Sequence, residues 1–264
     1  MERLKQDVAN EKLHWYMQPQ VALANRKVLG FQMEVHWYHD GVTPWKLYQF
    51  VDIAEDSGDI YRLTKQMIVE ACKTIIQLKK IGFKKPVTIS LVSKELLEPA
   101  LIDYIVLQAK KYNVETKYLI VEFKEALILS ASQRVKAIID QLKSLDIKVV
   151  IGDFSGRYES LRYLRKLSIH QIKINCVLLS DSHNSIESRG SDKAIINALI
   201  NLTRAMQLPL VGTSINNSHV EQTFIAMGGE HAQGRHLSRG VIFDEIEIWI
   251  KRWLEQYLNS ESNN

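Results

Sequence analysis

A carboxylate follows an apolar run near the middle of the chain, at Asp153. Val149, Val150 and Ile151 precede it, and consecutive β-branched residues are typical of a strand buried on both faces in a helix-covered parallel sheet. Gly152 ends the run. A carboxylate at the carboxyl end of such a strand lies where α/β folds bind ligands and catalyse reactions. Capping of the helix that follows is an alternative role, because Asp is common before a first helical turn.

A lysine lies within a second apolar strand, at Lys173. It alternates with two isoleucines, so Lys173 and Asn175 project to the same side of the strand. A lysine buried in a strand needs an anionic partner, and we expect Glu122 or Asp153 to provide it. The pair would be either a structural ion pair or part of a ligand site.

Strands and helices that alternate regularly would position these side chains. The apolar periodicity predicts strands at 13–23, 28–37, 87–92, 118–123, 148–151, 171–175, 210–213 and 231–233. It predicts helices at 2–12, 47–56, 60–80, 100–111, 132–145, 158–165, 193–207, 218–227 and 244–258. This order predicts an α/β fold, a (β/α)₈ TIM-like barrel in one domain over residues 1–258. The hairpin-like start predicts that one of the first two strands is antiparallel. A doubly wound sheet is the alternative, because strand count does not show closure.

The mouth of such a barrel would be polar and would carry few charges. Its rim collects the residues at the ends of the strands, which are Gln32, Ser90, Glu122, Gly152, Asp153, Lys173, Asn175, Thr213, Asn216 and Gln233. No glycine-rich phosphate loop, nucleophile elbow or Cys/His metal pattern occurs.

Composition excludes several classes of protein. Of the 264 residues, 46% are hydrophobic and 24% charged, as in globular domains, and the net charge is only +4. The basic residues are scattered, so we expect no nucleic-acid partner. No apolar run reaches the roughly 18 residues of a membrane span, and the charged start lacks the apolar core of a signal peptide, which predicts a cytoplasmic protein. We expect Cys72 and Cys176 to be buried thiols and residues 259–264 to be a disordered tail.

Seven stretches resemble the motifs of one family in order and spacing. They are Gln18-Pro19-Gln20, Gly30 to Trp37, Ile120 to Glu125, Gly152 to Leu164, Lys173-Ile174-Asn175, Gly212 to Asn216 and Gln233-Gly234. The family that they resemble is the EAL domain of bacterial cyclic-di-GMP signalling. The resemblance implies a (β/α)₈ barrel whose active members hydrolyse cyclic-di-GMP with two Mg²⁺ or Mn²⁺ ions.

The chain departs from this family at the positions that hold metal. The replaced ligands stand at Gln32, Ser90, Gly152, Asn175 and Thr213, and a further Glu is replaced at Asn216. Glu122, Asp153, Lys173 and Gln233 remain, and Glu125 remains as the carboxylate that would position a loop. Two carboxylates would not hold two divalent ions about 4 Å apart. We therefore expect no phosphodiesterase activity, no metal and no cofactor.

The resemblance leaves a vestigial pocket without catalytic residues. Its predicted ligand-binding residues are Gln18, His36, Glu122, Asp153, Phe154, Lys173 and Gln233. His36 replaces an arginine that grips phosphate in the family, and neutral His cannot make that bidentate contact. We predict a catalytically inactive regulatory module that docks to a regulatory protein, through the polar loop from Ser180 to Ser191 or the region Asp153–Arg165, where homodimer contacts would form. A non-hydrolysing cyclic-di-GMP receptor is the alternative, and residual metal-dependent hydrolysis by Glu122 and Asp153 is a third.

Overall fold

The computed structural model describes residues 2–180 and 186–261. Its strands are β1 (His14–Ala22), β2 (Val28–Trp37), β3 (Trp45–Lys46), β4 (Val87–Leu91), β5 (Leu119–Lys124), β6 (Lys148–Gly152), β7 (Gln171–Asn175), β8 (Leu210–Thr213), β9 (His231–Ala232) and β10 (Val241–Ile242). Its helices are α1 (Glu2–Ala9), α2 (Leu47–Asp56), α3 (Ile60–Lys80), α4 (Pro99–Lys111), α5 (Glu125–Ser130), α6 (Ser132–Ser144), α7 (Tyr158–Leu164), α8 (Ile186–Ala205), α9 (Ser218–Ala226) and α10 (Ile246–Glu261).

Eight of these strands close into a barrel. The order is β1, β2, β4, β5, β6, β7, β8 and β9, and β9 pairs with β1 to complete the ring. β1 is antiparallel to both of its neighbours, whereas β2, β4 and the later barrel strands pair in parallel. The (β/α)₈ barrel with one antiparallel strand among the first two is thus confirmed. The doubly wound alternative is wrong, because β1 joins both ends of the sheet.

The core lies inside the barrel and between the barrel and its helices. In β6, the residues from Val149 to Gly152 are all buried, as predicted for a strand covered on both faces. In α3, buried residues recur at spacings of three and four, among them Ile60, Leu63, Met67 and Ala71. This spacing gives the helix one apolar stripe to pack against the sheet. None of the helices among residues 2–180 and 186–261 is long and apolar enough to span a membrane.

The structure differs from the predicted elements mainly after β5 and β7. The helix α5 was not predicted, because its six residues are too few for a helical period to show. The helix α8 begins at Ile186 rather than at residue 193. The polar loop predicted from Ser180 to Ser191 therefore includes the first turns of α8, and its residues 181–185 lie outside the described residues. The helix α10 continues to Glu261, into the predicted tail, whose last three residues are likewise not described.

Candidate functional site

A cavity of about 1630 Å³ opens at the carboxyl ends of the parallel strands. Every residue of the predicted rim except Gly152 lines it: Gln32, Ser90, Glu122, Asp153, Lys173, Asn175, Thr213, Asn216 and Gln233. Parallel strands end at the same edge of a barrel, which is why these residues meet although they are far apart in sequence. The predicted polar mouth is therefore present.

Four charged side chains form an alternating row in this mouth. Lys173 Nζ lies 2.7 Å from Glu122 Oε2, and Lys124 Nζ lies 3.3 Å from Glu122 Oε1. Lys124 Nζ also lies 2.7 Å from Asp153 Oδ2. Of the two partners expected for Lys173, it is Glu122 that makes the contact.

The pKa values of this row favour the charged forms of Glu122 and Lys124. Burial raises the pKa of Glu122, but the charges of Lys173 and Lys124 and their hydrogen bonds outweigh burial and hold the pKa below its usual value. Burial lowers the pKa of Lys124, but the Glu122 and Asp153 carboxylates outweigh it and raise the pKa. Burial lowers the pKa of Lys173 from its usual value in spite of the nearby Glu122 carboxylate. Each carboxylate of the row nevertheless lies next to a lysine amine.

Gln32 and Ser90 extend the row to β2 and β4. Lys173 Nζ donates to Gln32 Oε1 at 2.5 Å, and Gln32 Nε2 donates to Ser90 Oγ at 3.0 Å. A buried ammonium group needs acceptors for its N–H groups, and the Gln32 amide provides one without adding a second negative charge. The polar side chains at these positions thus form a continuous hydrogen-bonded network with Lys173.

The loop after β6 is fixed from two sides. The Phe154 N–H donates to the Lys173 carbonyl oxygen at 2.9 Å, and Glu125 Oε2 accepts from the Ser155 N–H at 2.9 Å and from the Ser155 hydroxyl. Asp153 has a φ of 51°, in the left-handed region that Asp tolerates better than most residues. The helix α7 begins only at Tyr158, and Asp153 contacts Lys124 instead. Helix capping is therefore not the role of Asp153.

Two other predicted site residues join the antiparallel strand to the end of β9. Gln233 Nε2 donates to Gln18 Oε1 at 2.8 Å, and both side chains line the cavity. Gln18 lies on β1 and Gln233 follows β9, so this amide pair crosses the place where the barrel closes.

His36 and Phe154 do not line the cavity. The ring of His36 lies 4.3 Å from that of Tyr16, and its Nε2 lies 3.3 Å from Glu34 Oε2. The Phe154 side chain is buried, and only its backbone reaches Lys173. Of the seven predicted ligand-binding residues, five meet in the mouth, namely Gln18, Glu122, Asp153, Lys173 and Gln233.

Five basic residues of the mouth were not predicted from the sequence: Lys46, Lys94, Lys124, Arg157 and Arg235. Lys124 lies two positions after Glu122 on one strand, and this spacing already places both side chains on the same side. Arg157 follows the glycine of the loop after β6, and Arg235 follows Gln233-Gly234. Their positions in the loops that follow predicted strands were the available signal.

The two-metal centre implied by the family resemblance does not fit these residues. Both oxygens of Glu122 are contacted by lysine amines, and an ideal Cβ on Gly152 would lie 2.8 Å from Glu122 Cδ, so the Glu122 carboxylate fills the space of a side chain at position 152. Asp153 is paired with Lys124. No group of three or more His, Cys, Asp or Glu among the described residues could hold a metal ion.

A family model and several known proteins match almost the whole chain. A family model described as "EAL domain" matches residues 1–240. The signalling protein YkoW of Bacillus subtilis is 25% identical over 94% of this chain and 30% of its own length. The cyclic di-GMP phosphodiesterase PA2567 of Pseudomonas aeruginosa is 22% identical over 94% of this chain and 42% of its own length. The chain thus spans less than half of these relatives.

A solved structure shows the same fold. The PaMucR phosphodiesterase in complex with c-di-GMP superposes with a TM-score of 0.83 and 23% identity, over 93% of this chain and 98% of that one. At this identity the similarity supports the fold alone.

The relatives overturn one prediction made from the sequence. The replacements at Gln32, Ser90, Gly152, Asn175 and Thr213 predicted a chain that is not an enzyme. Relatives that match 94% and 96% of the chain are named cyclic di-GMP phosphodiesterases. The prediction that this chain is not an enzyme is therefore wrong.

Proposed function

This chain belongs to the EAL domain family, a family found in cyclic-di-GMP signalling proteins, and from this premise we propose that it binds cyclic-di-GMP in the mouth of its barrel. The family membership covers residues 1–240, which include every strand of the closed barrel. Solved structures of similar fold are complexes with c-di-GMP. The ligand proposed here is the same dinucleotide, and the place proposed for it is the cavity that the strand ends surround.

The observation that carries this proposal is the set of basic side chains in a wide, polar cavity. Lys124, Lys173, Arg157 and Arg235 all line it. Among the described residues no carboxylate forms an ion pair with Arg157 or Arg235, whereas both lysines are paired. Guanidinium groups bind phosphate oxygens through two parallel hydrogen bonds. These two guanidinium groups can therefore each bind a phosphate of a cyclic dinucleotide.

In this proposal, the domain contacts a regulatory protein partner or a second copy of itself, and the contact depends on whether cyclic-di-GMP is bound. The region Asp153–Arg165 begins with a residue of the cavity and ends one residue after α7, so it connects the mouth to the outer surface. On α7, Tyr158 is 71% exposed and Arg162 is exposed. Exposed Tyr and Arg side chains are enriched in protein interfaces, which supports this region as the docking surface. The cytoplasmic location stays a prediction.

Hydrolysis of the bound dinucleotide is the second candidate function. It is favoured by the relatives named phosphodiesterases, and the carboxylates of Glu122 and Asp153 in the mouth are the groups that would act on an attacking water. The same experiment can measure hydrolysis and binding.

The test is a calorimetric titration with cyclic-di-GMP, followed by chromatography of the recovered nucleotide. We expect the wild-type protein to bind, and Arg157→Met or Arg235→Met to weaken binding about tenfold or more, because each removes a charge-assisted phosphate contact. Arg162→Met is the matched control, since this arginine lies outside the cavity. Absence of binding by the wild type, or equal losses in all three variants, would refute the proposal. Recovery of cleaved nucleotide would establish the second function.

A further inference from the structure

The side chains of Lys124 and Glu122 project from β5 into the same part of the cavity. The two residues are two positions apart on β5, and their side chains project to the same side. In the parallel register of β5 and β6, Lys124 lies opposite Gly152. Because Gly152 has no side chain, the Glu122 carboxylate occupies the space next to it and comes within reach of Lys124.

The Lys124 ammonium group bridges two carboxylates. It lies 2.7 Å from Asp153 Oδ2 and 3.3 Å from Glu122 Oε1, which come from β5 and from the loop after β6. A single positive centre between two converging carboxylates is the arrangement in which proteins hold a divalent cation. Here the positive centre is a covalent part of the chain.

The charges of the row sum to zero. Two carboxylates, Glu122 and Asp153, face two ammonium groups, Lys124 and Lys173. A divalent cation that entered this row would find the carboxylate oxygens already contacted by ammonium groups. The four side chains together would also offer it no net negative charge. Hard divalent cations need carboxylate oxygens that are free to coordinate, so the row is filled by its own lysine.

We propose that Lys124 is a built-in cation that replaces a divalent metal between Glu122 and Asp153, and that it contacts a phosphate of the bound dinucleotide. An ammonium group has three N–H donors, and the two carboxylates accept two of them. The Lys124 side chain is 37% exposed and lines the cavity, so the third donor is available to a ligand. The inference rests on the proposed binding of cyclic-di-GMP and adds that this binding needs no metal ion.

The first arm of the test titrates cyclic-di-GMP in EDTA and in excess Mg²⁺. We expect the wild type to bind equally in both, and Lys124→Met to weaken binding in EDTA by about 10- to 100-fold, because one charge-assisted hydrogen bond is lost. Lys117→Met is the matched control: Lys117 precedes β5, lies outside the cavity and is also paired with a carboxylate, that of Glu115. A requirement of the wild type for Mg²⁺, or unchanged affinity in Lys124→Met, would overturn the inference.

The second arm measures Mn²⁺ alone by electron paramagnetic resonance and needs no nucleotide. We expect Lys124→Met to bind Mn²⁺ at least about tenfold more tightly than the wild type and Lys117→Met, because it frees two carboxylates against one remaining ammonium group. Equal Mn²⁺ affinity in wild type and Lys124→Met would overturn the built-in cation. If Lys124→Met does not fold, Lys124→Thr replaces it in both arms. Absence of nucleotide binding by the wild type in EDTA and in Mg²⁺ would refute the proposed function, and this arm would still decide the role of Lys124.

Discussion

Gly152 and Glu122 are complementary residues on adjacent strands of the barrel. An ideal Cβ built on Gly152 would lie 2.8 Å from Glu122 Cδ and 3.2 Å from Glu122 Cγ. Glu122 cannot withdraw freely, because Lys173 holds its carboxylate from the other side at 2.7 Å. The glycine at this strand end is therefore a condition for the row of charges in the mouth.

The close approach of Gly152 and Glu122 predicts that a methyl group added at position 152 destabilises the protein. We expect Gly152→Ala to lower the free energy of unfolding by about 1–3 kcal/mol, the usual cost of overpacking a filled interior. Urea denaturation at pH 7 measures it. Gly190→Ala is the control, because a Cβ there, within α8, has no neighbouring atom within 4 Å. Alanine favours a helix over glycine, so the control should be neutral or stabilising, and a neutral Gly152→Ala would contradict the packing described here.

Because Lys173 and Glu122 form a buried ion pair, we expect replacement of the lysine alone to destabilise the protein more than replacement of both residues. Lys173→Met leaves the buried Glu122 carboxylate with only its longer contact to Lys124, and we expect a loss of about 3–5 kcal/mol in the free energy of unfolding. The double variant with Glu122→Gln should recover part of this loss. In Lys136→Met, the lost ion pair with Asp140 is exposed, and about 1 kcal/mol or less is expected. Equal losses in the two lysine variants would contradict the prediction.

The pKa of Glu34, which also lines the cavity, predicts that the protein loses stability in acid. Burial raises its pKa, but the hydrogen bond with His36 and the charge of Lys46 outweigh burial, and the pKa in the folded protein is below the ordinary 4.5. A lowered folded-state pKa stabilises the fold above the unfolded-state pKa, and this stabilisation is lost as the pH falls below about 4.5 and through the folded-state value.

Unfolding free energies between pH 7 and pH 3 test this dependence. The wild type should lose more stability on acidification than Glu34→Gln, which has no carboxylate to protonate. Glu159→Gln, an exposed residue of α7, is a control that should follow the wild type. Parallel curves for the wild type and Glu34→Gln would show that Glu34 contributes nothing to the acid limb.

The two cysteines predict a thiol reactivity that depends on unfolding. Burial raises the pKa of Cys72 and of Cys176 to about 12, compared with 9.0 for an ordinary thiol. The thiolate is the reactive form, so alkylation of the native protein at pH 8 should be about a thousandfold slower than for a free thiol. Mass spectrometry after iodoacetamide treatment should find no label in buffer and two labels in urea. Labelling of the native protein at either cysteine would contradict the burial.

We expect replacement of Glu125 to loosen the loop after β6 without destabilising the rest of the barrel. It accepts hydrogen bonds from both the N–H and the hydroxyl of Ser155 and so holds the loop after β6. Glu125→Gln weakens these contacts, because a charged acceptor becomes neutral, and amide hydrogen exchange in residues 153–157 should become faster. Exchange in β4 should stay unchanged. Faster exchange throughout the barrel would instead indicate that Glu125 supports the whole fold.

The sequence by itself determined the order of elements, the barrel and the family. Apolar periodicity located β2, α2, α3, β7 and β8 at the residues where the structure has them. The polar residues at strand ends were also predictable as one rim, because parallel strands deliver their carboxyl ends to one edge. The missed helix α5 and the early start of α8 lie where segments are too short or too polar for a clear period.

Only the tertiary structure decided which of these side chains meet. Lys173 contacts Gln32, which is 141 residues away, and Lys124 contacts Asp153 across neighbouring strands. His36 contacts Tyr16 and Glu34 and does not line the cavity. Periodicity fixes the face on which a side chain lies, but its partner depends on the register between strands and on the space that a neighbour such as Gly152 leaves open. Register and free space arise only when the barrel closes, so the pairing of charges in its mouth could not be read from the order of residues.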